Sequence, residues 1–284
     1  MRTTKSRPSE EILNDLHQRL ILLAGLQGED CPSFEFVQKQ LRDWEVKYLD
    51  EWLQTVPAPD SPEYAAMRED YIAKLVADEL HPIAMPPRHA RQTVVHTNKD
   101  WVAAFQKVGK RLAEREDAMI ALLGSRGTGK TQMAVALIRF MARHKVEASV
   151  KPAHKLERWA WEYHCEKKPL VTGFALYSNT MDFFLRLRES YQSESQEHED
   201  KVLAEYIRPS LLILDEAHDR RGSDWENQMF TYLIDRRYQL ASKQTIFIAN
   251  QNKKDFEDNI GCSIADRLQE CGGIVQCNWN SFRK

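Results

Sequence analysis

One eight-residue segment constrains the fold of this chain more than any other feature of the sequence. It fits the pattern G-x-x-x-x-G-K-[ST] in full, and its members are Gly124, Ser125, Arg126, Gly127, Thr128, Gly129, Lys130 and Thr131. An apolar run at 118–124 leads into it, and an apolar helical pattern follows from Met133 to Phe140. Glycines allow the tight turn that aims successive backbone N–H groups at phosphate oxygens, and the helix N-terminus adds partial positive charge. We therefore expect all eight residues to bind the phosphates of ATP.

A second segment supplies the carboxylates that such a loop requires. The apolar run 211–214 predicts a buried strand, and it ends in Asp215 and Glu216. We expect Lys130 to reach the β- and γ-phosphates, while the Thr131 hydroxyl and Asp215 hold Mg²⁺. Glu216 is expected to orient and deprotonate the attacking water. The two segments together predict an ATPase that uses ATP and Mg²⁺.

Residues 215–218 also spell the DEAH sequence of one helicase group. Those helicases have two motor lobes and an arginine-rich motif in the second lobe. This chain has room for one lobe, so we reject that interpretation. His218 is then expected to be a bystander near the site.

The pattern from residue 98 onward predicts a doubly wound α/β domain with a parallel sheet. The predicted strands are the apolar runs 118–124, 173–178, 210–215 and 244–250. Continuous apolar runs are typical of parallel strands that are covered on both faces. Helical patterns lie at 101–112, after the phosphate loop to about Arg143, and at 225–234.

Residues 1–80 predict a small helical domain. Ser9 and Ser33 are placed to cap two helices, and a third begins at Pro62 after the break at 57–62. The apolar stripes of these helices either pack on one another or also dock a partner. Residues 81–97 carry three prolines and are predicted to be a linker to an ATPase domain at 98–284.

The composition is that of an ordinary globular chain and excludes several classes of protein. The 284 residues carry a formal net charge of -2, so a nucleic-acid site would have to be a local basic patch. The five cysteines form no C-x-x-C pair, which argues against a disulfide framework or a zinc knuckle. The first residues lack the apolar stretch of a signal peptide, and no apolar run approaches the ~20 residues of a membrane span. We expect a cytoplasmic protein with no membrane partner.

Several short motifs make the region 85–284 resemble one family. Asn250 ends the strand at 244–250 as the sensor 1 residue of AAA+ ATPases does. Further matches are the segments Pro87–Arg91, Asp235–Tyr238, Ala265–Leu268 and Asn278–Lys284, of which the last two are the more specific. Together they resemble the DnaC/IstB group of AAA+ proteins, which comprises bacterial and phage helicase loaders and transposition helper ATPases. The resemblance implies an AAA+ fold with a five-stranded parallel sheet.

The resemblance also implies roles for three residues. Asn250 would touch the γ-phosphate or the attacking water. Arg267 looks like the arginine finger, which would reach the ATP of a neighbouring subunit in a homo-oligomer with shared sites. Arg283 resembles sensor 2 and would contact the γ-phosphate in its own chain. The plain alternatives are a helix-surface arginine at 267 and a frayed terminus at 283.

The family grips single-stranded DNA, and the resemblance implies the same partner here. The candidate contacts are Thr180, Arg186, Arg188, Lys167 and Lys168, each of which could instead be a charged or polar residue on a solvated face. Two regions depart from the family. Residues 146–172 look like an insertion, and residues 1–80 show no residue-level match.

Three functions remain open at this point. The first is a helicase loader whose N-terminal helices hold a replicative helicase while the ATPase domain engages single-stranded DNA. The second is an IstB-like transposition helper that binds duplex DNA and recruits a transposase. The third is an ATP-gated protein adaptor without significant turnover, and Glu216 counts against it because a binding switch needs no base.

Overall fold

The computed structural model describes residues 14, 17–18, 62–91, 98–150, 173–192, 198–219, 222–240 and 242–283. The chain divides into two compact units, Met1–Ala77 with Lys145–Pro169 and Asp78–His144 with Leu170–Lys284. The helix predicted after Ser33 lies outside the described residues, as do residues 151–172 of the predicted insertion. The predicted partner-binding role of residues 1–80 therefore stays a prediction.

Five parallel strands form a sheet with the order β2-β3-β4-β1-β5. The strands are β1 Met119–Leu123, β2 Ala175–Asn179, β3 Leu211–Asp215, β4 Gln244–Ala249 and β5 Gly273–Gln276. Every residue of β1, β3 and β4 is buried, as expected for strands covered on both faces. Four strands lie where the apolar runs predict them, and the α/β fold class is confirmed. The apolar runs did not locate β5, because it is four residues long and begins with glycine.

The described residues contain helices before the first strand and between the strands. Their bounds are α1 Pro62–Leu80, α2 Pro87–Ala90, α3 Lys99–Glu114, α4 Lys130–Val150, α5 Thr180–Glu189, α6 Glu199–Ile207, α7 Asp224–Gln239, α8 Lys253–Ile260 and α9 Cys262–Cys271. The predicted linker thus contains a short helix, α2. Helix α4 extends beyond the predicted end at Arg143 and into the segment that was predicted as an insertion.

Polar side chains fix where several of these helices begin. The Asn98 side chain accepts a hydrogen bond from the backbone N–H of Trp101 at 2.9 Å at the start of α3. The Asn252 side chain does the same for Asp255 at 2.9 Å at the start of α8. Such caps satisfy N–H groups that the first helical turn leaves without partners. The chain therefore enters each helix at a defined residue after a strand or loop.

One hydrophobic core cluster joins the sheet to helices α5 to α9. It is rich in fully buried phenylalanines, among them Phe183 on α5, Phe230 on α7 and Phe247 on β4. Because the strands are parallel and adjacent, the carboxyl ends of β1, β3 and β4 meet at one edge of the sheet. That edge is where open α/β sheets bind ligands. Within the described ranges, no helix combines the length and the apolar character that crossing a membrane requires.

Candidate nucleotide-binding site

The predicted phosphate loop connects the end of β1 to the start of α4. Its three glycines adopt positive φ angles, 143° at Gly124, 88° at Gly127 and 77° at Gly129. Residues with a side chain rarely adopt this conformation, so the glycines are needed for the turn itself. The Thr128 hydroxyl donates to the carbonyl oxygen of Ser125 at 3.0 Å and closes the loop on itself. The result is the compact strand–loop–helix turn expected of an anion site at a helix N-terminus.

Lys130 lies at the base of this loop and is almost fully buried, with 5% of its surface exposed. Its ammonium group donates to the carbonyl oxygens of Gly124 and Ser125, each at 2.8 Å. Burial lowers the pKa of Lys130, and the nearby Asp215 and Glu216 carboxylates oppose that shift.

The predicted metal ligands are in contact with each other. The Thr131 hydroxyl donates to Oδ2 of Asp215 at 3.0 Å. A hydroxyl and a carboxylate at this spacing are the ligand types that Mg²⁺ takes beside a nucleotide phosphate, so the donor set fits the predicted ion. The backbone oxygen of Asp215 accepts a 3.0 Å hydrogen bond from the Thr180 hydroxyl, which ties the carboxyl end of β3 to α5.

Tyr177 is a member of this group that the sequence analysis missed. Its hydroxyl also donates to Oδ2 of Asp215, from the neighbouring strand β2. Burial, followed by the adjacent Asp215 carboxylate, raises the pKa of Tyr177 well above its ordinary value, so the phenol remains a hydrogen-bond donor. The signal that would have found it is register, because Tyr177 pairs with Ile213 two positions before Asp215.

Glu216 is oriented by two neighbours. Its φ of 53° is in the left-handed region, which is uncommon for a residue with a side chain. The Asn250 side-chain amide donates to Oε2 of Glu216 at 2.8 Å, and Nε2 of His218 lies 3.4 Å from the same oxygen. The backbone N–H of Asn250 is 3.4 Å from Nδ1 of His218. His218 is therefore part of the site, in contrast to the prediction of a bystander.

One cavity of about 380 Å³ is lined by Lys130, Thr131, Asp215, Glu216 and Asn250. Its lining joins the loop, both carboxylates, the end of β4 and the end of the chain, and comprises Arg88, His89, Arg126, Gly127, Gly129, Lys130, Thr131, Gln132, Asp215, Glu216, Ile248, Asn250, Phe282 and Arg283. The predicted sensor residues Asn250 and Arg283 thus lie on the same cavity as the loop. Their roles toward a nucleotide remain predictions.

The segment before α3 also reaches this cavity. Nδ1 of His89 lies 2.7 Å from the side-chain oxygen of Gln132, and the Arg139 guanidinium donates to the carbonyl oxygen of Ala90. Both partners belong to α4, the helix that follows the phosphate loop. Helix α2 is consequently held against α4, which brings Arg88 and His89 to the rim of the cavity.

Arg267, the predicted arginine finger, does not line this cavity in the described structure. It lies on α9, where its guanidinium pairs with Asp235 at 2.8 Å and stacks over the ring of Tyr238 at 5.1 Å. The 22% exposure of its side chain leaves part of the guanidinium accessible. A residue that acts on a neighbour's nucleotide has to lie away from the phosphate loop of its own chain, as Arg267 does. Its role as an arginine finger stays a prediction.

The candidate DNA contacts have intramolecular partners. Thr180 is fully buried, so the prediction that it contacts DNA is wrong for this conformation. Arg186 makes a two-pronged pair with Glu205, at 2.9 and 2.7 Å. Arg188 pairs at 2.8 Å with Glu226, whose side chain is fully buried. Both arginines are thus paired with glutamates in this conformation, and Lys167 and Lys168 lie outside the described residues.

Comparisons with known proteins support the fold. No protein-family model matches the sequence, and no curated protein matches it. The match to the crystal structure of the DnaC helicase loader has 19% sequence identity and a TM-score of 0.49, and it spans 67% of this chain and 99% of the loader chain. A candidate primosome component from Streptococcus pyogenes serotype M3 is 14% identical, covers 73% of this chain and 98% of that chain, and has a TM-score of 0.50. The replication initiator DnaA bound to AMPPCP and single-stranded DNA is 18% identical, covers 69% of this chain and 52% of that chain, and has a TM-score of 0.46.

At such identities, likeness between structures establishes the fold alone. The strand order β2-β3-β4-β1-β5 and the match to the S. pyogenes protein agree on the AAA+ P-loop fold. The resemblance drawn from the sequence motifs is thus confirmed at the level of the fold.

Proposed function

We propose that this protein is an ATPase that binds ATP with Mg²⁺ at the cavity described above and hydrolyses it. In this proposal the phosphate loop and Lys130 bind the phosphates, and Thr131 with Asp215 holds the metal. Glu216 activates the water, with Asn250 orienting its carboxylate. Arg283 contacts the γ-phosphate in its own chain, and Arg267 reaches the nucleotide of a neighbouring subunit.

One observation carries this proposal. Thr131 and Asp215 are 84 residues apart and Glu216 and Asn250 are 34 apart, yet each pair is joined by a side-chain hydrogen bond at the same cavity. A glycine turn without a ligand would have no need of a metal-ligand pair and an oriented carboxylate beside it. Perturbed groups in a polar cleft at the carboxyl edge of a parallel sheet are typical of a catalytic site.

We further propose that the ATPase serves a helicase loader of the DnaC type. The support is the motif resemblance across residues 85–284, above all Ala265–Leu268 and the ending Asn278–Arg283. The S. pyogenes protein of similar fold is named a candidate primosome component, and another similar structure is named a helicase loader. In this proposal the helices of residues 1–80 bind a replicative helicase, and the ATPase domain engages single-stranded DNA.

The experiment that tests this proposal is steady-state ATP hydrolysis without DNA, with single-stranded DNA and with duplex DNA. Wild type is compared with Arg267→Ala. Stimulation of wild type by single-stranded DNA, together with its loss in Arg267→Ala, is the result we expect. Stronger activation by duplex DNA would favour a transposition helper over a helicase loader. If neither DNA changes turnover and Arg267→Ala behaves as wild type, the shared-site ATPase is refuted in favour of an ATP-gated adaptor.

A further inference from the structure

The last residues of the described chain lie against the phosphate loop. We call residues 277–283 the tail. The indole N–H of Trp279 donates to the carbonyl oxygen of Thr128 at 2.8 Å. The backbone N–H of Phe282 donates to the carbonyl oxygen of Gly127 at 2.8 Å. Two consecutive peptide groups of the loop are therefore held by two separate groups of the tail.

The tail and the loop are packed as closely as their atoms allow. A Cβ atom added at Gly127 would lie 2.0 Å from the Ser281 hydroxyl oxygen, far inside contact distance. A Cβ atom at Gly124 would lie 2.5 Å from the carbonyl oxygen of Cys277. At the start of the tail, the Cys277 N–H donates to the carbonyl of Leu123 at 2.6 Å, which continues the pairing of β5 with β1 up to the loop. The approach thus needs glycine at position 124, where the nearest atom belongs to the backbone, whereas the Ser281 hydroxyl beside Gly127 could rotate away.

A third carbonyl of the loop is held from a different direction. The indole N–H of Trp101, on α3, donates to the carbonyl oxygen of Gly129 at 3.3 Å. Trp101 is 3% exposed, so this donor sits in a fixed place in the core. The carbonyls of Gly127, Thr128 and Gly129 are consequently all engaged by groups from outside the loop.

Holding a carbonyl also fixes the N–H group of the next residue. In a planar trans peptide the C=O of one residue and the N–H of the next point in opposite directions. The bonds to Gly127 and Thr128 therefore fix the N–H directions of Thr128 and Gly129. These N–H groups are the ones with which a glycine-rich loop binds phosphate.

We propose that Trp279 and the Phe282 N–H are positioning groups that hold the phosphate loop in its anion-binding conformation before the nucleotide arrives. This inference rests on the proposed function of the cavity as an ATP site. A loop that is already ordered loses less conformational entropy on binding, so its affinity is higher than that of a free loop. Trp279 and the Phe282 N–H act on affinity and have no part in the chemical step.

The first test replaces Trp279 by phenylalanine, which keeps an aromatic ring and removes the indole donor. Loss of one hydrogen bond of ordinary strength should weaken the binding of ATP by about fivefold. The affinity for inorganic tripolyphosphate, which has no base or sugar, should fall by the same factor, while kcat at saturating ATP stays unchanged. Affinities are measured by isothermal titration calorimetry with the full chain.

The matched control is Trp225→Phe. The Trp225 ring contacts Arg188, Phe184 and Tyr191. Its replacement by phenylalanine is the same chemical change at a different place in the domain. It should leave both affinities as in wild type. An equal loss of affinity in Trp225→Phe and Trp279→Phe would assign the effect to general destabilisation and overturn the proposal.

The second test uses Phe282, whose side chain is 44% exposed, so its replacement should not prevent folding. Phe282→Pro removes the backbone N–H, whereas Phe282→Ala keeps it and removes only the ring. We expect the proline variant to bind tripolyphosphate several-fold more weakly than the alanine variant. Equal affinities in the two variants would overturn the proposal even if Trp279→Phe failed to fold.

Wild-type binding separates this inference from the proposed function. If wild type binds neither ATP nor tripolyphosphate, the proposed function fails and the inference falls with it. If wild type binds both ligands and the Trp279 and Phe282 variants bind as tightly as their controls, the inference alone is overturned.

Discussion

At the scale of single residues, the site contains carboxylates with different neighbours and therefore different tasks. Asp215 is 8% exposed and accepts hydrogen bonds from the hydroxyls of Thr131 and Tyr177, so its charge is directed at the place where Thr131 would share a metal. The Glu216 side chain is 35% exposed and is oriented by the Asn250 amide. A carboxylate that water can reach and whose orientation is fixed is better suited to act as a general base than as a metal ligand.

The first prediction concerns that base. Glu216→Gln keeps the shape of the side chain and removes its ability to accept a proton. We expect ATP affinity to stay within about twofold of wild type, while kcat falls by about 10²–10⁴, the usual contribution of a general base. Calorimetry and phosphate release measure the two quantities, with Glu189→Gln as a control at an exposed glutamate on α5. Normal hydrolysis by Glu216→Gln would show that another group activates the water.

The second prediction concerns the metal. Asp215→Asn removes the charge and leaves an amide beside Thr131, so the Mg²⁺ concentration that gives half-maximal hydrolysis should rise by at least about tenfold. A magnesium titration at fixed ATP measures this change, and excess EDTA should abolish turnover by wild type. Turnover that persists in EDTA, or an unchanged magnesium dependence in the variant, would show that Asp215 and Thr131 do not hold the metal.

At the scale of elements, a buried arginine joins three of them. Arg237, near the end of α7, is fully buried. Its guanidinium donates to four carbonyl oxygens and one hydroxyl, those of Tyr206, Ile207, Pro209, Gln244 and Thr245. It therefore satisfies the last carbonyls of α6, where a cation also complements the helix dipole, and the start of β4. Burial lowers the pKa of Arg237 to about 9, which still leaves it charged at pH 7.

The third prediction follows from these contacts. Arg237→Met fills much of the same volume but leaves several buried carbonyls without donors, each a cost of about 1–3 kcal/mol. We expect the free energy of unfolding to fall by at least about 3 kcal/mol. Urea denaturation measures it, with the exposed neighbour Arg236→Met as the matched control. Equal stability of the two variants would mean that water or a rearranged side chain satisfies the carbonyls.

The elements also explain which parts of the structure the sequence could predict. Strands β1, β3 and β4 are buried on both faces, so their apolar runs are unambiguous in the sequence. The residues of the loop and the carboxylates were predictable because they follow such runs directly. Tyr177, His218 and Trp279 were not predicted in their present roles, because each depends on strand register or on a contact between distant segments. Arg237 was noted only as part of the motif Asp235–Tyr238, and its burial was not predicted, since an arginine near a helix end is ordinarily exposed.

At the scale of the whole molecule, the contacts of Arg267 bear on assembly. Within its own chain the guanidinium is paired with Asp235 and lies over Tyr238. If Arg267 acts on a neighbour's nucleotide, it must exchange these partners for phosphate when subunits meet. Both are partly exposed, so the exchange does not require a charge to leave a dry core. An active site divided between subunits should then be open to complementation.

The fourth prediction tests that division by mixing two inactive variants. Glu216→Gln supplies an intact Arg267, and Arg267→Ala supplies an intact Glu216. In a head-to-tail assembly mixed at equal amounts, about one interface in four joins the intact halves, so about a quarter of wild-type turnover should return. ATP hydrolysis is measured for each variant alone and for the mixture at the same total protein concentration. A mixture no more active than its components would place Arg267 outside the neighbour's site, since random assembly must create intact pairs if the site is shared.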